Sequence, residues 1–157
     1  MAKGPFMEFL RADVKQTVVD TYKEVQIPTP TSKTENMAML IHEIYLEPNR
    51  LVDGTPTDTD TMELHLAGKT KATVTKVSDP DILAYLFAMT SKGTIWNWLE
   101  TLGAQMWKFD PPILYPKANL FLAINTGGFT ATMSAVCRIG YTLEKVSRED
   151  FISALVE

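Results

Sequence analysis

The sequence predicts a mainly β protein, an antiparallel β-sandwich, and three observations point there. The stretch Thr130 to Glu144 alternates for fifteen residues. Its odd positions are Ala131, Met133, Ala135, Cys137, Ile139, Tyr141 and Leu143, all apolar or aromatic, and its even positions are mostly polar. Successive strand side chains point to opposite faces, so this period of two sends one face to a core and the other to water or a partner. At about 3.3 Å per residue the run would span roughly 50 Å if unbroken, which makes Gly140 the natural place for a bulge or bend. Shorter runs of the same kind recur upstream, and nowhere do strands alternate with long helical patterns, as a parallel sheet would require.

Taken in order, residues 1–14 read as an N-terminal arm, with Phe6, Phe9 and Leu10 as its apolar anchors. The rest, residues 15–157, forms a single domain that can close its core without the arm. Val18 to Ile27 is a strand that stops at Pro28-Thr29-Pro30, because proline lacks the N–H a ladder needs. Met37 to Glu47 is apolar on both faces, which places it inside a sheet. Residues 52–61 are a loop of turn formers, followed by a strand from Thr61 to Ala67 and another from Thr70 to Val77.

Ser78-Asp79-Pro80-Asp81 has the chemistry of a helix start. Asp79 can cap, Pro80 suits the first helical position and Asp81 favours the positive end. A short helix with Leu83, Leu86 and Phe87 inward is expected there, ending by Gly93. Residues 94–102 fit either a strand or a short helix. Gln105 to Phe109 is a short strand before Asp110-Pro111-Pro112. Leu120, Leu122 and Ile124 lie on a strand that turns at Gly127-Gly128 into the long one, the glycines supplying a tight hairpin. Ser147 and Asp150 form a capping-box start for a C-terminal helix with the stripe Phe151, Ile152, Leu155 and Val156. Seven or eight strands, one or two short helices and a C-terminal helix are most economically arranged as a jelly roll.

Composition narrows the function. There are 15 Lys and Arg against 19 Asp and Glu, a net charge of −4. That argues against direct nucleic-acid binding, which needs a basic surface to displace counterions from phosphate. The single cysteine, Cys137, forms no internal disulfide. The start MAKGPFMEFLRADVK holds no apolar core for a signal peptide, and the longest apolar run, Ile82 to Met89, is too short to span a bilayer. A cytoplasmic origin is expected.

No catalytic motif is present, so no enzyme activity, metal or cofactor is expected. His42 and His65 lie on separate strands without the His-x-His pairing of a metal site. Cys137 sits between Ala135 and Ile139 on the apolar face, where a thiol is inert. Asp53, Asp58 and Asp60 lack the spacing of a calcium loop. The notable cluster is aromatic: Trp96, Trp98 and Trp107, with Phe109 and Tyr115. Such rings can fill a core, stack on sugars or form a subunit contact. Together with Phe6, Phe9 and Leu10, the set Trp96, Trp98, Trp107 and Phe109 is the candidate subunit interface.

Three stretches carry a family resemblance: KEVQIPTPTSKTENMAMLIHEIYLEP, SDPDILAYLFAMTSKGTIWNWL, and PPILYPKANLFLAINTGGFTATMSAVCRIGYTLEKVSREDFISALVE. In their order and style the chain resembles single jelly-roll capsid or decoration proteins of icosahedral viruses and phages. The resemblance implies a virion structural protein, made in the host cytoplasm, that self-assembles as a homo-oligomer and meets other virion proteins. The absence of an arginine-rich arm departs from genome-condensing members. The alternative from another class is a carbohydrate-binding β-sandwich module using surface tryptophans.

Overall fold

The computed structural model describes residues 6–48, 59–73, 78–91, 105–129 and 131–156. Among these residues eight strands run in chain order: β1 (Glu8–Lys15), β2 (Lys23–Pro28), β3 (Met37–Pro48), β4 (Thr59–Ala67), β5 (Ile82–Ser91), β6 (Gln105–Tyr115), β7 (Asn119–Gly127) and β8 (Ser134–Lys145). One helix, α1 (Arg148–Val156), follows them. The strands form two four-stranded antiparallel sheets, ordered β1-β8-β3-β6 and β2-β7-β4-β5. Apart from the sequential pair β4-β5, neighbouring strands lie far apart in the chain, which is the jelly-roll arrangement.

The alternation in the sequence builds the core directly. β3 sends in Met39, Ile41, Ile44 and Leu46; β4 sends in Met62, Leu64 and Leu66; β7 sends in Leu120, Leu122 and Ile124. β8 completes the layer with Ala135, Cys137 and Ile139, while Met133 just before it and Tyr141 further along are also buried. A one-residue slip would turn these side chains to water, so burial of one face fixes the register.

Several local expectations are corrected. Residues 8–15 of the expected arm form β1, an edge strand of the first sheet, paired with β8 from Glu8↔Tyr141 to Lys15↔Ser134. Val14 is fully buried and Leu10 packs against the core. The helix expected after Pro80 is strand β5. Ile82, Ala84 and Leu86 are buried there and Phe87 is exposed, a period of two. Asp79 does cap, but it caps a turn: its Oδ1 accepts from the Asp81 amide at 2.9 Å. A good cap thus introduced a strand because the residues after it have the strand period. Residues 70–73 are not strand, and residues 74–77 lie outside the described residues. β2 starts at Lys23, later than expected, because Gln16 to Tyr22 turn the chain between sheets. β6 does not stop at Phe109 but continues through Asp110-Pro111-Pro112 to Tyr115. The long strand begins at Ser134, and Ala131 is exposed.

The Gly127-Gly128 turn is no hairpin, since β7 and β8 belong to different sheets. Gly128 has a φ of 88°, which an L side chain rarely adopts. Asp20, itself at φ 54°, holds this crossing. Its Oδ1 accepts from the Thr126 hydroxyl and the Phe129 amide, and its Oδ2 from the Gly128 amide, at 3.0 to 3.1 Å. Buried Gln16 adds a tie: its Oε1 accepts from the Met133 amide and its Nε2 donates to the Thr126 hydroxyl.

α1 starts as expected, with Ser147 Oγ accepting from the Asp150 amide at 3.1 Å and donating to the Asp150 carboxylate at 2.6 Å. Of its apolar stripe Phe151 is buried, whereas Ile152 and Val156 are exposed.

Around Glu24 and His65 the outer face of the second sheet is covered by its own loop. The Tyr22 hydroxyl and the Lys71 amide both donate to Glu24 Oε2, at 2.8 and 2.9 Å, and the Thr70 hydroxyl donates to Glu24 Oε1. Lys71 Nζ bridges Asp79 and Asp81 at 2.8 and 3.0 Å. His65 lies fully buried beneath, with the Tyr22 ring edge-on at 6.3 Å.

Candidate functional site

The outer face of the first sheet has no such cover among the described residues, and its register places side chains in rows. One row runs Arg11, Arg138, Tyr45, Met106, from β1 to β6. The next runs Phe9, Gly140, Glu43, Lys108. Phe9 is 53% exposed, Met106 50%, and Phe6, just before β1, 75%. Met7 is also exposed. Met7, Phe9 and Met106 are large apolar side chains on one face, where soluble monomers rarely leave them.

Arg138 organises the centre. Its guanidinium carbon lies 5.2 Å from the Phe9 ring centre and 5.0 Å from that of Tyr45. Both are cation–π contacts from neighbouring strands, which hold the rings on either side of the charge. The Tyr45 hydroxyl donates to Glu47 at 3.2 Å; burial and then the Glu47 charge push its pKa up. Aromatic rings with an arginine between them are the side chains that dominate the centres of protein interfaces.

Gly140 gives this face its shape. The expected bulge is present, but it belongs to β3: the register shifts between Ile41 and Glu43, opposite Tyr141 and Gly140. His42 is the extra residue, and its Nε2 lies 2.9 Å from the Thr142 hydroxyl. Along β6 the same shift leaves Phe109 to Pro112 opposite His42, with a cis peptide bond between Asp110 and Pro111. A bulge on each strand opens a cleft of about 440 Å³, lined by Met7, His42, Glu43, Lys108, Phe109, Asp110 and Thr142.

The residues expected at the interface divide three ways. Phe6 and Phe9 are exposed on or beside this face. Leu10, Trp107 and Phe109 pack against the core, and Phe109 also lines the cleft. Trp96 and Trp98 lie outside the described residues, as do Asp53 and Asp58. Sequence reasoning singled out Met106 with the apolar residues of 94–109 but missed Met7, Tyr45 and Arg138. Arg138 was visible as the one cation on the polar face of the long strand, but its neighbours come from β1 and β3, and only the register joins them.

Among the described residues no group of three His, Cys, Asp or Glu is placed to hold a metal ion. Cys137 is buried, and desolvation pushes its thiol up to about 12. No helix among the described residues is long and apolar enough to cross a membrane.

No protein-family model matches the sequence, and no characterised protein matches it significantly. Solved structures do share the fold. VP1 of Trichodysplasia spinulosa-associated polyomavirus superposes with a TM-score of 0.55 at 9% identity, covering 93% of this chain and 98% of that one. The same VP1 in complex with 3′-sialyllactose gives 0.53 at 9% identity, over 90% and 96%. Chimpanzee polyomavirus VP1 without ligand gives 0.51 at 6% identity, over 92% and 98%. The chain is therefore similar, over nearly its whole length, to jelly-roll capsid proteins, and at these identities the likeness is one of fold.

Proposed function

We propose that this chain is a virion structural protein, a jelly-roll capsid subunit of shell, vertex or decoration type that assembles with copies of itself. The observation that carries the reading is a fold shared end to end with capsid proteins such as VP1. The outer-sheet surface around Arg138 supplies what such a subunit needs, a large aromatic and apolar face that burial between copies takes out of water. A structural role asks for no catalytic group. The subunit is made in the host cytoplasm, ends in the virion and meets other virion proteins there. With a net charge of −4, it leaves genome binding to other components.

The carbohydrate-binding alternative relied on surface tryptophans. Trp107, the tryptophan among the described residues, packs against the core, so no specific observation favours it.

The test is assembly of the purified full-length chain, by sedimentation velocity and negative-stain microscopy. The wild type is expected to form closed oligomers. Phe6→Ser with Phe9→Ser is expected to lower the assembly by tenfold or more in concentration, with thermal stability nearly unchanged, because both rings are exposed in the single subunit. A wild type that stays monomeric at high concentration, alone and with other virion proteins, overturns the reading.

A further inference from the structure

Among the described residues four strands form the edges of the two sheets: β1 and β6 in the first, β2 and β5 in the second. An edge strand presents unpaired N–H and C=O groups, and proteins that stay apart blunt it with charge, proline or short length. Three of these edges are blunted in that way. β1 carries Glu8, Arg11, Asp13 and Lys15. β2 has six residues, includes Lys23 and Glu24, and ends at Pro28. β6 carries Lys108, Asp110, Pro111 and Pro112.

β5 is different. Its ten residues, ILAYLFAMTS, include neither a charge nor a proline. Its strand neighbour among the described residues is β4 alone, paired from Thr59↔Ser91 to Ala67↔Ile82. Phe87 stands 45% exposed on its outer face, beside Tyr85, whose hydroxyl donates to Glu63 at 2.8 Å.

We propose that β5 is a subunit contact, pairing antiparallel with β5 of a second copy across a two-fold axis. The inference rests on the reading of the chain as a self-assembling subunit and names where two copies join. The lack of charge suits that occupant. In a two-fold contact the same patch meets itself, and an uncharged strand opposes no like charges to its copy.

The geometry agrees. A two-fold axis perpendicular to the sheet sets residues of the same parity opposite one another. Ile82, Ala84 and Leu86 of both copies stay on the core side, and Tyr85 and Phe87 stay outside. Phe87 then gains an aromatic neighbour across the strands, a pairing that stabilises sheets. The result is one continuous eight-stranded sheet, β2-β7-β4-β5 joined to its own mirror order.

Cysteine cross-linking in the full-length protein tests this. Maximal overlap of the two strands centres the pairing on Leu86 or Phe87. Residues directly opposite have Cα atoms about 4.5–5.5 Å apart, within disulfide range. Phe87→Cys alone, or a mixture of Phe87→Cys and Tyr85→Cys chains, is expected to give a disulfide-linked dimer on mild oxidation. Leu83→Cys is expected to give little, since it lies roughly 20 Å or more from its copy in either register. Cys137 is buried and does not compete.

Assembled particles with no cross-link at 85 or 87 overturn the β5 contact and leave the capsid reading standing. A cross-linked dimer that never grows further keeps the contact and overturns the capsid reading. A monomer without cross-links overturns both. Should the cysteine variants fail to fold, hydrogen exchange of the wild type decides. Protection of β5 amides is expected to rise with protein concentration, and protection independent of concentration means the edge is covered within one chain, which overturns the proposal.

Discussion

Gly140 and Glu43 meet across β8 and β3 so closely that a methyl group on Gly140 would lie 2.7 Å from Glu43 Cγ, and 3.0 Å from Met7 Sδ. The absent side chain is the floor on which both neighbours rest. It keeps Glu43 against the sheet beside the bulge and holds Met7 over the row that contains Phe9.

Gly140→Ala follows from this contact. The added carbon must push the middle of the Glu43 side chain, not only its end, and lift Met7 as well. Crowding of this kind typically costs about 1–3 kcal/mol. A drop of several degrees in the thermal midpoint is expected by calorimetry. Assembly should weaken more than stability, because Met7 is displaced from the exposed face. An unchanged midpoint would show that Glu43 moves freely and that the cleft is less tightly built than the distances indicate.

The boundary between arm and domain is testable by truncation. Removing residues 1–7 takes away Phe6 and Met7 but spares β1, so cooperative unfolding is expected to persist while assembly weakens. Removing residues 1–15 strips eight residues of ladder from β8 and uncovers the core beside Val14, which is fully buried. Burial of a valine side chain alone contributes about 1.5–3 kcal/mol. The longer truncation is expected to lose its sharp thermal transition by circular dichroism; a native-like transition there would mean that β1 is an optional strand.

His65 gives the stability a pH dependence. Burial pulls its pKa below the ordinary histidine value. Glu24, Asp79 and Glu63 oppose that shift and Lys71 adds to it. The folded state therefore prefers the neutral ring, and the contribution is complete above about pH 6.5. It is lost as pH falls, because the unfolded chain takes up a proton that the folded chain resists. Asp79 and Asp81 add a later step. Hydrogen bonding to Lys71 holds both below the usual carboxylate range, so their contribution is present above about pH 4 and disappears as pH falls through the folded values. Thermal melts from pH 7 to pH 3 are expected to show both declines. His65→Gln should remove the one between pH 7 and 5 and spare the one below pH 4. Equal slopes for variant and wild type between pH 7 and 5 would assign that decline to other groups.

Legibility from sequence followed the range of the interactions. β3, β4, β7 and β8 were readable because their alternation is local and each buries one face against a common core. β5 was misread because Asp79-Pro80-Asp81 presents helix-capping chemistry, which a turn before a strand uses equally well. β1 was misread because its inward residues, Leu10, Ala12 and Val14, are separated by charged ones, so that it resembles a solvated arm until β8 is set beside it. The outer-sheet surface showed the same limit. Phe6 and Phe9 were conspicuous as apolar residues in a polar stretch. The role of Arg138 depends on residues about 90 and 130 positions away, which only the antiparallel register brings to its two sides.

The strand order also governs how the chain comes into being. In the sheets, every partner of β1, β2 and β3 among the described residues lies at residue 105 or later, and the one neighbouring pair in sequence is β4 with β5. A nascent chain leaving the ribosome thus carries its first three strands without their partners until the last third has been translated. Chains with such distant pairings fold slowly and expose apolar strand while they wait. The first sheet closes only when β8 slides between β1 and β3, and Arg138 arrives with it. The rings of Phe9 and Tyr45 have no cation between them before that moment, so the outer-sheet surface around Arg138 is finished last.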